Sequence, residues 1–256
     1  MKHVILDLDG TVYRGTESVS GVPQTIESLH DSGIQTTFLT NNATLSREEF
    51  VSKLYQMGIY AEPDEIFTSG TITARYLSAK FSSESVFAIG ETAFYTALQE
   101  AGLEVTTDPE ASDIVVVALD RDFDYETLSE ALIALEKDQI PYFATNSDPT
   151  RPGENHPLPS TGSILGAIQV SADREPDQIL GKPSKIAANI IQEKREIEPS
   201  EAIVVGDRLT TDIKFGKRMG TKTALVKSGG DRSYSKAVPD GPDYVLESLA
   251  KVEQVI

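Results

Sequence analysis

Short apolar runs alternate with amphipathic stretches along almost the whole chain. Residues 4–8 form a brief apolar run that ends in acidic residues. Val22, Ile26 and Leu29 then recur at helical spacing over 22–32, and Gly33 ends that stretch. Residues 36–40 are rich in strand formers. Ser46 reads as a helix N-cap, with Glu49 three residues on completing a capping box. The helix behind it carries Phe50, Leu54 and Met57 on one face, and Gly58 closes it. A short strand over 66–68 and a helix over 72–81 follow. This alternation predicts βαβ units and a parallel sheet.

Near residue 82 the pattern restarts. A strand over 86–89 leads to Gly90 and a helix over 92–101. Residues 114–119 are continuously apolar, as expected of a strand buried on both faces. Leu128, Leu132 and Leu135 mark an amphipathic helix over 125–137, and 141–144 is another strand. A loop rich in Pro, Asn and Gly spans 146–162, and an apolar helix follows over 163–170. A third stretch begins with a strand over 178–180. Pro183 is expected in the first turn of a helix over 184–193. Residues 202–205 form the most apolar late strand, 211–219 a helix ended by Gly220, and 223–226 a strand. A last strand over 244–246 precedes a C-terminal helix. No Gly/Ser or Pro linker separates the blocks, and no short repeat is present.

Length and composition narrow the class. The 256 residues suffice for one full-sized α/β domain and a smaller second one. With 39% apolar and 25% charged residues, low complexity and disorder are not expected as dominant features. There is no cysteine, which excludes disulfides, thiolate catalysis and zinc–thiolate sites. The chain opens on a strand, so no signal peptide is expected, and no segment reaches the roughly 18 apolar residues of a membrane span. A cytoplasmic protein is the expectation, with no membrane partner. The formal net charge of −17 argues against a nucleic-acid partner, which would call for a basic footprint. That acidity fits a high-salt cytoplasm or plain solubility equally well. An anionic substrate would need local cations to offset the field.

Four stations stand at the carboxyl ends of predicted strands, where ligands sit in open parallel sheets. They are Asp7-Leu8-Asp9-Gly10-Thr11, Leu39-Thr40-Asn41-Asn42, Gly181-Lys182-Pro183, and the run from Gly206 and Asp207 to Asp212. Paired acids need a cation, a shared proton or polar solvation. Thr40 and Asn41 add neutral hydrogen bonds, and Lys182 adds a positive charge. Each station has an ordinary structural reading: a solvated turn for Asp7 and Asp9, a helix-entry turn for Thr40 and Asn41, a surface lysine, and capping carboxylates at Asp207 and Asp212. Their order along the chain favours one Mg²⁺-dependent phosphoryl-transfer site.

The set resembles the haloacid dehalogenase (HAD) superfamily. Its motif pattern reads DxDGT, hydrophobics-TN, a lone Lys, and GDxxxxD. The insertion between the second and third stations, with GKP and GDRLTTDI, is similar to the NagD-like branch, which includes p-nitrophenyl-phosphatase-type members. The resemblance spans essentially the whole chain. It implies a doubly wound parallel-sheet core, 1–81 and 179–256, with a smaller α/β cap inserted at 82–178. It implies that Asp7 is the nucleophile of an aspartyl-phosphate mechanism, and that Asp9 is general acid and then general base. Mg²⁺ would be held by Asp7, the Asp9 main-chain carbonyl and Asp207. Thr40, Asn41 and Lys182 would hold the phosphoryl oxygens. Asp212 would act behind the metal or Lys182, and Thr11 would hold the turn. From the cap, Asn146 and Asp148 match the family's Asn-x-Asp pattern. Thr161-Gly162-Ser163 opens a helix whose N-terminus suits an anion, and Arg151 and His156 are further candidate substrate contacts, although plain surface exposure suits those two as well. His3 and His30 are read as structural.

The implied activity is phosphomonoester hydrolysis of a small metabolite, by a monomer or homodimer. Sugar phosphates, nucleoside monophosphates, phosphoglycolate and glycerol phosphate all fit, as does p-nitrophenyl phosphate in vitro. Superfamily dehalogenases lack the acid at the place of Asp9. Phosphonatases need a cap lysine, and this cap offers only Lys137, at the end of a predicted helix. Phosphoglucomutase-type relatives carry their cap in the first linker, which is short here. The non-enzyme alternative is a phospho-acceptor or metabolite sensor without turnover.

Overall fold

The computed structural model of the chain describes residues 1–81, 83–153, 156–231 and 241–256. Two residues of the expected loop 146–162, Glu154 and Asn155, lie outside the described residues, as does Ser82 at the expected restart. In chain order the first elements are β1 (His3–Asp7), β2 (Tyr13–Arg14), β3 (Glu17–Ser18), α1 (Val22–Asp31), β4 (Gln35–Thr40), α2 (Arg47–Gln56), β5 (Ile66–Thr68) and α3 (Ser69–Lys80). Next come β6 (Ser85–Ile89), α4 (Thr92–Glu100), β7 (Glu104–Thr106), β8 (Ile114–Val117), α5 (Tyr125–Leu135), β9 (Tyr142–Ala144), β10 (Thr150–Arg151), β11 (Leu158–Pro159), α6 (Thr161–Ala172) and β12 (Gln178–Ile179). The last are α7 (Lys185–Lys194), β13 (Ala202–Gly206), α8 (Lys214–Met219), β14 (Lys222–Val226) and β15 (Tyr244–Leu246).

The chain divides into two compact units. The first comprises 1–40, 47–67 and 182–256; the second comprises 41–46 and 68–181. The first holds a six-stranded sheet in the order β15-β14-β13-β1-β4-β5. β1 is central and pairs in parallel with both β13 and β4. It is buried at every position, which explains its continuous apolar run. From β1 the chain adds β4 and β5 on one side and later β13, β14 and β15 on the other. The order therefore reverses between β1 and β13, and a ligand crevice forms at such a reversal, beyond the strands' carboxyl ends.

The second unit has its own five-stranded sheet, β12-β9-β8-β6-β7, with all its pairs parallel. Its core joins Val115, Val117 and Tyr142 to Leu135 on α5 and Ile164 and Ile168 on α6. The chain order here reverses between β6 and β8.

Local expectations are met with small shifts. α2 begins at Arg47, directly after Ser46, and buries Phe50 and Leu54. Ser184, rather than Pro183, opens α7: its hydroxyl accepts from the Ala187 amide at 3.0 Å, so Pro183 precedes the cap. The helix expected over 211–219 starts as a π-helical turn over Leu209–Ile213 and becomes α-helical only in α8. The C-terminal helix is a 3₁₀ segment, Leu249–Gln254, that buries Leu249 and Val252. Two short antiparallel pairs, β2 with β3 and β10 with β11, were not anticipated.

Candidate active site

The first unit gathers four charged side chains in its crevice. Asp7 ends β1, Asp207 follows β13, Asp212 lies in the π-helical turn and Lys182 precedes α7. Lys182 is 3% exposed, and its ammonium donates to Asp7 Oδ1 at 2.5 Å, Asp212 Oδ1 at 2.7 Å and the Leu39 carbonyl at 3.1 Å. The remaining oxygen of Asp212 accepts the amides of Asp207 and Arg208, at 3.1 and 3.0 Å. Both Asp212 oxygens are thus committed to holding neighbours in place. Asp207 Oδ2 accepts the Gly230 amide at 2.5 Å, and Asp231 braces the same turn by accepting the Leu209 amide at 2.7 Å. Gly10 is in the left-handed region at φ +98°, and a Cβ there would lie 2.4 Å from Asp207 Oδ2, so only glycine lets the first station turn beside the fourth.

Three buried carboxylates face one ammonium. Burial, then Asp212 and Asp207, raise Asp7 well above the usual carboxylate range, against the pull of Lys182. Burial and the Asp212 charge push Asp207 up to about 7. Burial draws Lys182 down, but Asp212 and Asp7 outweigh it and hold the ammonium above its ordinary value. Asp7 Oδ2 is buried and has no hydrogen-bond partner among the described residues. One carboxylate oxygen each from Asp7, Asp207 and Asp212 lie within 4.8 Å of one another, a group able to hold a metal ion. Excess negative charge and an unpartnered carboxylate oxygen are the features a hard cation would satisfy, so the donor set fits a divalent metal that prefers oxygen.

The other expected residues separate into groups. Thr40 is buried at the end of β4, within the first unit. Asp9 is partly buried and accepts from the Tyr13 hydroxyl at 3.3 Å. The Thr11 amide donates to the Leu8 carbonyl at 3.2 Å, whereas its buried hydroxyl has no hydrogen-bond partner among the described residues. Asn41, Asn146 and Asp148 meet in the second unit. Asp148 Oδ2 accepts from Asn41 at 2.8 Å and from Asn146 at 2.7 Å. The Asn146 carbonyl oxygen accepts the hydroxyls of Thr145 at 3.0 Å and Thr161 at 2.8 Å. Arg151 lies on β10 and His156 is exposed before β11; neither belongs to these two clusters. Sequence reasoning missed Tyr13, the Gly230 amide and Asp231. The Gly229-Gly230 pair, a turn signal after β14, was the available clue to the last two.

Comparison with known proteins places this geometry. Residues 4–104 match the haloacid dehalogenase-like hydrolase family, and residues 179–252 match a second HAD-hydrolase-like family. The chain is 36% identical over 255 residues to an acid sugar phosphatase of Staphylococcus epidermidis, covering 97% of this chain and 96% of that one. The chain belongs to the haloacid dehalogenase superfamily. Within it the protein is a NagD-like phosphatase. An acid sugar phosphatase of Staphylococcus haemolyticus is 37% identical over 89% of this chain and 86% of its own length. Among solved structures, a p-nitrophenyl phosphatase from Archaeoglobus fulgidus superposes with a TM-score of 0.92 at 30% identity, covering 100% of this chain and 99% of that one. NagD of Escherichia coli superposes with a TM-score of 0.88 at 25% identity, over 98% of each chain. The α/β architecture is that of HAD phosphatases. Among the described residues no helix is long and apolar enough to cross a membrane.

Proposed function

We propose that the protein is a Mg²⁺-dependent phosphomonoester hydrolase of small phosphorylated metabolites, acting through an aspartyl-phosphate on Asp7. The observation that carries this reading is the asymmetry of the Asp7 carboxylate. Oδ1 is fixed by Lys182, while Oδ2 is buried with no hydrogen-bond partner among the described residues. In the first step a carboxylate oxygen of Asp7 attacks phosphorus, the bond to the leaving oxygen breaks, and Asp9 gives that oxygen its proton. In the second, water attacks phosphorus, Asp9 takes a water proton, and the phosphorus–Asp7 bond breaks to release phosphate. Lys182 and Thr40 hold the phosphoryl oxygens. Asp7, Asp207 and the Asp9 main-chain carbonyl would hold Mg²⁺, which when bound offsets the charge of the carboxylates and the phosphoryl group. Asp212 keeps Lys182 aimed.

Sugar phosphates lead the substrate set, because the curated relatives above carry that name. Nucleoside monophosphates, phosphoglycolate and glycerol phosphate follow. The inserted 82–178 segment, which folds within the second unit, is the proposed cap, and the cysteine-free sequence suits the cytoplasm. The test is a screen of these phosphoesters and p-nitrophenyl phosphate with and without Mg²⁺. Sustained release of phosphate that a chelator stops and Mg²⁺ restores is expected. One equivalent of the leaving alcohol released without a steady state, with the phosphoryl group kept on the protein, would make it a phospho-acceptor instead.

A further inference from the structure

Behind Asp9 stands a pair of residues outside the four stations. Tyr13 opens β2 and is fully buried. Its backbone closes the turn of the first station: the Tyr13 carbonyl accepts the Gly10 amide at 2.8 Å, and the Tyr13 amide donates to Leu8 at 3.2 Å. Its hydroxyl points back along the same turn and donates to Asp9 Oδ2 at 3.3 Å. Lys53, on α2, sets its ammonium over the Tyr13 ring, 3.7 Å from the centroid, close enough for a cation–π contact. A core position of this size would accept phenylalanine, which buries the same ring without a hydroxyl to satisfy. A tyrosine whose only polar atom meets the one side chain that must move protons has a chemical use beyond filling space.

We infer that Tyr13 and Lys53 are positioning residues for Asp9. The Tyr13 hydroxyl fixes the rotamer from which Asp9 serves the leaving oxygen, and Lys53 fixes the Tyr13 ring. This rests on the reading above, in which Asp9 is the proton donor. Tyr13 spans the gap between the turn, which defines where Asp9 begins, and α2, which is anchored in the core through Phe50 and Leu54. The turn sets the Asp9 backbone. The phenol holds the Asp9 side chain from one side, and the cation above the ring keeps the phenol from swinging away. A misplaced acid costs most where the leaving group is poor, because a good one departs without a proton.

The test compares two aryl esters with Mg²⁺ present. Phenyl phosphate releases an alcohol with a pKa of about 10, like the tyrosine side chain. p-Nitrophenyl phosphate releases a far more acidic one. For Tyr13→Phe, kcat/KM on phenyl phosphate should fall about tenfold while p-nitrophenyl phosphate stays within about threefold. Lys53→Met should show the same selectivity with a smaller loss, and Lys53→Arg should restore it. Melting curves of each variant accompany the kinetics. Equal losses on both esters, or none on either, would overturn the positioning role, and so would a failure of Lys53→Arg to rescue. No Mg²⁺-dependent turnover by the parent protein on either ester would remove the hydrolase reading itself, and the role of this pair with it.

Discussion

Two parallel sheets, each with a reversal of strand order, treat that reversal in opposite ways. Between β1 and β13 the crevice collects Asp7, Asp207, Asp212 and Lys182, and leaves Asp7 Oδ2 without a hydrogen-bond partner among the described residues. Between β6 and β8 the corresponding place is filled. A Cβ on Gly90 would lie 2.7 Å from the Phe94 ring and 3.1 Å from Ala118, and beyond them Glu91 and Arg121 form an ion pair. The polar cluster of that second sheet lies instead past β9, where Asn146, Asp148, Thr145 and Thr161 satisfy one another. A crevice becomes reactive when its charges are left unbalanced; one packed with side chains and paired ions is scaffold.

The sharpest way to break that contrast is Asp7→Asn. It should lower turnover by at least about 10⁴-fold. Because it removes a charge from a crowded set, the melting temperature without metal should hold or rise. Steady-state activity near the parent level would end the nucleophile assignment. Lys182→Met strips from three buried carboxylates the ammonium that pairs with Asp7 and Asp212, and should cost about 3–5 kcal/mol in a urea titration without metal. Asn146→Ala takes the acceptor from two hydroxyls and one donor from Asp148, which keeps Asn41, and should cost less, about 2 kcal/mol. If Asn146→Ala proves the more damaging, the scaffold label sits on the wrong sheet.

Proton linkage gives a gentler probe. Asp207 and Asp7 are raised when no cation offsets them, so the metal-free fold holds their protons more tightly than the unfolded chain does. Their contribution is full below the unfolded carboxylate range and fades as pH climbs through the folded values, near 7 for Asp207. Added Mg²⁺ should therefore raise the melting temperature more at pH 8 than at pH 5.5, and a gain independent of pH would argue against binding at these acids. A second proton effect lies at the other end of β1. His3 bonds Thr37 at 2.8 Å, and burial, with Arg195 nearby, lowers its pKa to about 4. The unfolded chain takes up that proton first, so stability should decline as pH falls from about 6.5 toward 4. His3→Asn should flatten that decline in denaturant midpoints.

Much of this was legible in the residues. β1, β8 and β13 announced themselves as uninterrupted apolar runs because sheets covered on both faces need them. Asp7, Lys182, Asp207 and Asp212 were expected to converge because the carboxyl ends of parallel strands share one edge. Other features left weaker traces. β10 and β11 are two residues each, too short for any period to register. The grouping of 41–46 and α3 with the second unit depends on packing rather than on composition. Tyr13 and Lys53 are 40 positions apart in the sequence and meet only through tertiary structure, so no local pattern marks them as a pair.

The bond from Lys182 to Asp7 spans 175 positions of sequence, and that separation has a bearing on synthesis. When β1 leaves the ribosome, both the cation for Asp7 and the strand β13 that flanks it are still untranslated. Residues 83–181, by contrast, contain every strand of the five-stranded sheet and can pair them while the rest is being made. The nascent protein would thus finish its scaffold first. Its catalytic sheet would close only as the last quarter of the chain arrives, with the amino-terminal acids solvated until then.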